Sequence, residues 1–189
     1  MTDFLSDEQG KQLLRLARET IDTQLSGRQP VQQQGDSGLD SERGTFVTLK
    51  IGGQLRGCIG NLLPSGSVLE SVQRNALNAA FNDHRFSPLT GDELARVHID
   101  ISILTEPVAL EYDDGDDLIH KLRPGVDGVI LSHGRHSATF LPQVWDQLPA
   151  AELFLGHLCR KAGLNDHAWR DHHPQIKIYQ VQCFEEETT

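Results

Sequence analysis

The sequence predicts an α+β protein in which mainly antiparallel sheets are flanked by helices. Two hairpin signals carry this prediction. A strand over 46–51 runs into a Gly-Gly turn, and strands over 126–132 and 137–141 are separated by a short polar tip. Strands joined by such short turns pair antiparallel, whereas a doubly wound parallel sheet needs a crossover between its strands. At 189 residues with 38% hydrophobic content, the chain can hold one domain or two small ones.

The helices are predicted from capping boxes and from apolar residues at helical spacing. In a capping box a Ser or Thr is followed three residues later by Glu or Gln, and the two side chains satisfy backbone N–H groups at the helix start. The boxes are Ser6 with Gln9, Ser67 with Glu70, and Thr90 with Glu93. They predict a helix over 7–25, a second ending near Phe81, and a short third one.

The remaining elements follow from alternation and from Pro and Gly signals. A strand is predicted over 98–104, a short helix after Pro142, a longer helix over 149–162 and a last strand over 176–184. The segment 28–44 is rich in Gln, Gly, Ser and Asp, and we expect it to be too polar to pack and therefore mobile.

Composition excludes several classes of function. The net charge of −10 argues against nucleic-acid binding, which depends on Lys and Arg neutralising phosphates. No apolar run approaches the roughly 20 residues that a membrane helix needs, and the N-terminus lacks the features of a signal peptide. Three widely separated cysteines predict neither a disulfide framework nor a zinc ribbon. We therefore expect a soluble cytoplasmic protein with no nucleic-acid or membrane partner.

The motif LRGCIG at 55–60 is the strongest candidate for a functional site. A regular hairpin would pair Ile51 with Gln54, Leu49 with Arg56 and Val47 with Cys58. Arg56 and Cys58 then lie on one face, roughly 6.6 Å apart along the strand. A guanidinium at that distance can favour a thiolate, so Cys58 is a candidate catalytic residue and Arg56 a candidate binding residue. The alternative is a buried core cysteine that shares a face with Val47 and Leu49, since free cysteine is among the most buried residue types.

The two glycines of the motif need an explanation, because glycine weakens a strand. Gly57 and Gly60 are expected where a bulge forms or where a ligand, a partner or another backbone approaches closely. Both are candidate binding residues.

Further candidates lie on two loops. Asp83 and Arg85 belong to a polar cluster that follows the second helix, and loops after rigid elements often carry function. His133 and His136 lie at the tip of the second hairpin. A metal site there would need a third ligand that the sequence does not identify, so no metal site is predicted. The question of a cofactor is left open.

These motifs together resemble the AMMECR family, whose prokaryotic form is known as AmmeMemoRadiSam system protein A. The resemblance extends roughly from residue 46 to the last strand, and LRGCIG is its specific signature. The other matching positions are Asp83, Arg85, Phe86, Pro88, Leu89, the run GRHSATFL at 134–141 with Pro142, and the helix end at Arg160, Lys161 and Gly163. His84 and the stretch 166–173 do not match the family pattern.

The resemblance implies a two-domain α+β fold with LRGCIG close to a cleft between the domains. It also implies work alongside a Memo-like protein and a radical-SAM protein, but no established reaction. We expect a smaller unit over 46–105, inserted into a larger domain formed by 1–45 and 106–189. Oligomeric state is left open.

Two functions remain open at this point. In the first, the chain is a binding or accessory protein whose cleft near Arg56, Cys58, Asp83 and Arg85 holds a small molecule or a partner segment. In the second, Cys58 is the nucleophile or radical relay of an enzyme, activated by Arg56 with His133 or His136 as base.

Overall fold

The structure, a computed structural model, describes residues 4–28 and 38–187. Its helices are α1 (Asp7–Ser26), α2 (Val68–Phe81), α3 (Gly91–Leu94), α4 (Gly115–Lys121), α5 (Ala151–Lys161) and α6 (Ala168–Asp171), with a 3-10 helix at Pro142–Asp146. Its strands are β1 (Thr45–Ile51), β2 (Gln54–Asn61), β3 (Val97–Leu104), β4 (Val108–Ala109), β5 (Gly128–His133), β6 (His136–Phe140), β7 (Gln175–Tyr179) and β8 (Val181–Glu185). The fold is α+β, as predicted.

The chain forms two compact units, each with its own sheet and core. The first contains the chain up to Thr105 and the C-terminal stretch from Gln182, and the second is Glu106–Val181. The first sheet has the strand order β2-β1-β3-β8 and the second β4-β7-β5-β6. No helix among the described residues is long and apolar enough to cross a membrane.

This division differs from the expected one. The sequence suggested an inserted unit over 46–105, but the inserted unit is the later segment, and both described ends of the chain belong to the first unit. The physical reason is that α1 packs its buried leucines in one core with α2 and the first sheet. In addition β8 returns to pair beside β3, which adds the C-terminal stretch to the same unit.

Helices α1 and α2 cover one face of the first sheet. Ser6 and Ser67 form the predicted capping boxes, and α1 ends at Gly27, which adopts the left-handed conformation with φ 66°. The inner face of the sheet is mainly apolar and buried, and it presents Val47, Leu49, Ile99, Ile101 and Ile103 to these helices.

The hairpin of β1 and β2 contains an irregularity that the sequence did not predict. Ile51 pairs with Gln54 as expected, but the register shifts at Leu49/Lys50, so that Leu49 pairs with Gly57 and Thr48 with Cys58. Arg56 is the extra residue of this β-bulge. The expected pairs of Leu49 with Arg56 and of Val47 with Cys58 are therefore wrong.

The second unit is built around stacked aromatic side chains. Trp145 and Phe154 lie parallel with ring centroids 3.7 Å apart, and the Trp145 indole donates to the Asp127 carbonyl at 2.7 Å. The hairpin of β5 and β6 is tighter than predicted, because His133 and His136 pair directly and only two residues form the turn.

The polar segment 28–44 is only partly described. Residues 29–37 of this segment, which was predicted to be mobile, lie outside the described residues. The part from 38 onward is packed, contrary to the expectation, because Leu39 is fully buried in the first core and Glu42 bridges to Ser67.

Candidate functional site

The bulge places Cys58 on the outer face of the first sheet, away from the helices. Its cross-strand partner is Thr48, whose hydroxyl donates to Cys58 Sγ at 3.2 Å. The cysteine is half-buried. The alternative of a core cysteine that shares a face with Val47 and Leu49 is thus wrong, since both of these side chains point into the core on the opposite face.

Side chains of the loop after α2 bind backbone groups along the unpaired edge of β2. Asp83 accepts from the Cys58 backbone N–H at 2.9 Å, and Arg85 donates to the Cys58 carbonyl at 3.2 Å. Arg85 also pairs with Asp83, at 2.9 and 2.7 Å. Because β2 is an edge strand, this pair occupies backbone groups that a neighbouring strand would otherwise take.

The electrostatics of this pair are strong because Asp83 is buried and Arg85 is half-exposed. The hydrogen bond from Arg85 holds the pKa of the Asp83 carboxyl well below its usual range, and the backbone N–H of Cys58 acts in the same direction. Asp83 is therefore a permanently charged anchor for the signature strand.

Arg56 is held by a second carboxylate. Its guanidinium forms a bidentate pair with Glu93 at 2.9 and 3.0 Å and donates to the Ser87 carbonyl at 3.0 Å. Arg56, followed by the Thr90 backbone N–H, lowers the pKa of Glu93 to about 2. The remaining nitrogen, Arg56 Nη1, is buried and has no hydrogen-bond partner among the described residues.

The two glycines of the motif are required by close packing on this strand. A Cβ at Gly57 would lie 2.1 Å from the backbone oxygen of Ala79 on α2. At Gly60 it would lie 2.3 Å from the Phe46 ring and 2.4 Å from the Thr45 carbonyl. What approaches these glycines closely in the structure is the chain itself.

A shallow depression of about 550 Å³ lies beside these ion pairs. The guanidinium groups of Arg56 and Arg85 both lie over the Phe86 ring, at 5.8 and 5.5 Å from its centroid. The depression is also lined by Ser87, Pro88, Thr90 and Glu93. The depression thus combines an aromatic and proline surface with two arginines.

The candidate histidines belong to the second unit. His136 Nδ1 lies 2.9 Å from the Ala162 carbonyl at the end of α5, an acceptor that favours the Nδ1–H tautomer. His133 stacks on His172 with ring centroids 5.6 Å apart. The candidate residues are thus divided between the two units, and those of the first unit, Arg56, Gly57, Cys58, Gly60, Asp83 and Arg85, lie together.

Sequence reasoning missed three partners in this site. Glu93 was identified only as a capping residue, although it binds both the start of α3 and Arg56. Thr48 was missed because the predicted register had no bulge. Phe86 was recognised only as part of the family pattern, and its position between two arginines follows from the fold of the loop.

The fold and the site define a two-unit α+β protein whose signature edge strand is held by two Arg–carboxylate pairs. The family model of AMMECR1 matches residues 14–184, so the chain belongs to the AMMECR1 family. Protein MK0488 of Methanopyrus kandleri is 37% identical over 99% of this chain and 93% of its own. A protein of Methanothermobacter thermautotrophicus is 35% identical over 97% of both chains.

A crystal structure has the same fold. The uncharacterized protein PH0010 from Pyrococcus horikoshii superposes with a TM-score of 0.80 at 32% identity, covering 97% of this chain and 94% of its own.

Proposed function

We propose that this protein is a binding or accessory protein whose depression beside LRGCIG holds a small molecule or a segment of a partner. The observation that carries the proposal is the pairing of Arg56 and Arg85 around Phe86 in an open depression. The chemistry itself would be carried out by partners. On the family resemblance stated above, these are a Memo-like protein and a radical-SAM protein.

The chemistry of the depression favours a ligand with an acceptor group beside an apolar one. Arg85 is half-exposed and already bound to Asp83, so its free edge can donate to a carboxylate or carbonyl without a large entropic cost. Phe86 and Pro88 supply the apolar contact. An acidic side chain of a partner segment has this chemistry.

The state of Cys58 also supports a binding role. Among the described residues, the only hydrogen bond to Cys58 Sγ comes from the Thr48 hydroxyl, and a Thr hydroxyl is not a general base. Nucleophilic cysteine catalysis needs a base within hydrogen-bond reach that is oriented by a third group.

Binding assays with purified full-length proteins test the proposal. The Memo-like and radical-SAM proteins of the same genome serve as probes in calorimetric titrations. We expect Arg85→Gln to weaken binding by about tenfold or more, as a lost charge-assisted hydrogen bond does. Cys58→Ser should retain binding, because a hydroxyl preserves the shape and can still accept from Thr48.

Arg135→Gln is the matched control, because Arg135 is an exposed arginine in the turn of the second hairpin. Its affinity should equal that of the unaltered protein. Loss of binding in Cys58→Ser together with unchanged binding in Arg85→Gln would overturn the proposal, as would the absence of binding to both probes.

One observation favours cysteine chemistry as a second candidate. The Thr48 hydroxyl donates to Sγ, and Arg85 donates to the carbonyl of the same residue, so polar groups surround a half-buried thiol on the outer face of the sheet. The alternative is a cysteine-dependent enzyme or a radical relay that uses Cys58.

Alkylation of the three native cysteines at several pH values, read by peptide mass, separates the candidates. Cys183 is exposed and is the internal reference, while Cys159 is buried and its pKa is raised by burial. A binding role predicts that Cys58 reacts no faster than Cys183 near neutral pH. Selective fast reaction of Cys58 would support cysteine chemistry instead.

A further inference from the structure

A second group of side chains with ligand chemistry lies on the outer face of the first sheet. His98 and Asp100 are two residues apart on β3 and therefore point to the same side, and Glu185 lies on the neighbouring strand β8. Their nitrogen and carboxylate ligand atoms all lie within 4.8 Å of one another. None of these residues belongs to the depression beside LRGCIG.

Asp100 has an unpaired oxygen in this group. The residue is only 9% exposed, and its Oδ1 is buried without a hydrogen-bond partner among the described residues. His98 Nε2 approaches Oδ1 to 3.3 Å, but without the geometry of a hydrogen bond. A buried carboxylate oxygen without a partner is costly, which calls for an explanation at this position.

We propose that His98, Asp100 and Glu185 bind a divalent transition-metal ion. One imidazole nitrogen and two carboxylate oxygens suit Zn²⁺ and its neighbours in the first row, because Mg²⁺ and Ca²⁺ prefer oxygen ligands alone. The ion would take up the free Oδ1 of Asp100. Three protein ligands leave at least one coordination position for water or for another ligand.

The site is accessible from a groove of about 1070 Å³ that includes His98 and Glu185 in its lining. Lys50, which also lines the groove, pairs with Asp100 through the second carboxylate oxygen. The open coordination position therefore faces a space large enough for a small molecule. The Lys50 ammonium beside this position would attract an anionic small molecule.

Lys50 provides a sharp test, because its charge opposes a bound cation. The Lys50 ammonium pairs with Asp100, so its positive charge lies beside the proposed ligands. Besides Asp100, the titratable groups near Lys50 include Glu185 and Cys183. Replacing Lys50 by Met removes the positive charge but keeps the three ligands. We expect metal affinity to rise at least about threefold, the effect of one unit charge several Å away even at the dielectric constant of water.

The experiment is a titration of chelator-treated full-length protein with Zn²⁺ by calorimetry and with Co²⁺ by visible absorption. The unaltered protein should bind one equivalent at this site. His98→Gln and Asp100→Asn should each weaken it by about tenfold or more, since each removes one ligand. Glu152→Gln is the matched control: it removes an exposed carboxylate on α5 of the second unit, outside the ligand group and the lining of the groove, and should change affinity by less than about twofold.

Circular dichroism checks that each variant is folded, and His98→Gln keeps the test valid if Asp100→Asn does not fold. The proposal is overturned if no saturable binding occurs, if His98→Gln binds as tightly as the unaltered protein, or if Lys50→Met weakens binding. A thiolate-to-Co²⁺ charge-transfer band would also overturn it, since that band would show that a cysteine ligates the ion, and the proposed set contains none.

Discussion

Replacement of Gly57 by Ala tests the packing that holds the signature strand. A Cβ at this position would lie 2.1 Å from the Ala79 oxygen and 3.1 Å from the Ala79 carbonyl carbon. Both atoms belong to the backbone of α2, so no side-chain rotation relieves the clash. The helix and the strand would have to separate by about 1.3 Å to reach an ordinary contact of 3.4 Å.

The expected cost follows from that displacement. Overpacking of a well-packed interior costs about 1–3 kcal/mol, and a clash between two backbones belongs at the upper end of this range. We therefore expect Gly57→Ala to lower the free energy of unfolding by about 3 kcal/mol. At roughly 2–4 °C per kcal/mol for a chain of this size, the melting temperature should fall by about 6–12 °C.

Urea denaturation followed by circular dichroism measures this effect. Gly91→Ala is the matched control, because a Cβ there meets nothing within 4 Å and no positive φ opposes it. Its stability should stay within about 0.5 kcal/mol of the unaltered protein. Equal stability of the two variants would refute the close approach of α2 to β2, since strand propensity by itself favours Ala over Gly.

Three further measurements test other contacts of the fold. Gly10→Ala should destabilise the first unit by about 1–3 kcal/mol, because its Cβ would lie 2.0 Å from the Phe184 ring. Adding Phe184→Ala should make the Gly10 substitution nearly neutral in urea denaturation, and full additivity would contradict this contact. Glu93 has a pKa of about 2 in the folded protein, below its value of 4.5 in the unfolded chain. The ionised Glu93 therefore adds to the free energy of unfolding above about pH 4.5, and this stabilisation is lost as the pH falls through about 2. The stability difference between Glu93→Gln and the unaltered protein should thus be smaller at pH 3 than at pH 6; an unchanged difference would contradict the pairing. Asp127 is fully buried and accepts from Arg123 at 2.6 and 3.1 Å. Asp127→Asn should therefore lower the free energy of unfolding by about 2–4 kcal/mol, measured by thermal denaturation of the protein. A decrease below about 0.5 kcal/mol would count against this pair.

Local features of the fold were predictable from sequence because their partners are close along the chain. Ser6 with Gln9 and Ser67 with Glu70 form capping boxes as predicted, since each box closes within one helical turn. Gly27 ends α1 for the same local reason. The α+β class also follows from two hairpins whose short turns require antiparallel pairing.

The register of the signature strand was predicted only as far as regular pairing holds. Ile51 and Gln54 pair as expected next to the turn, but the bulge at Arg56 moves Cys58 to the outer face. A period-2 pattern assumes a regular ladder, and an extra residue reverses the face of every later side chain. The packing of Gly57 against α2, which comes from another part of the chain, accompanies this irregularity.

By itself the sequence determined the fold class, the helix starts and the signature motif with its family, because each depends on short-range patterns. Tertiary structure alone decided which residues meet. Asp83 and Arg85 reach the Cys58 backbone from 25 and 27 positions away, and Glu93 reaches Arg56 from 37. It also decided the division into units, because β8 returns from the end of the chain to the first sheet. Such contacts depend on the packing of whole helices and strands, which no local spacing records.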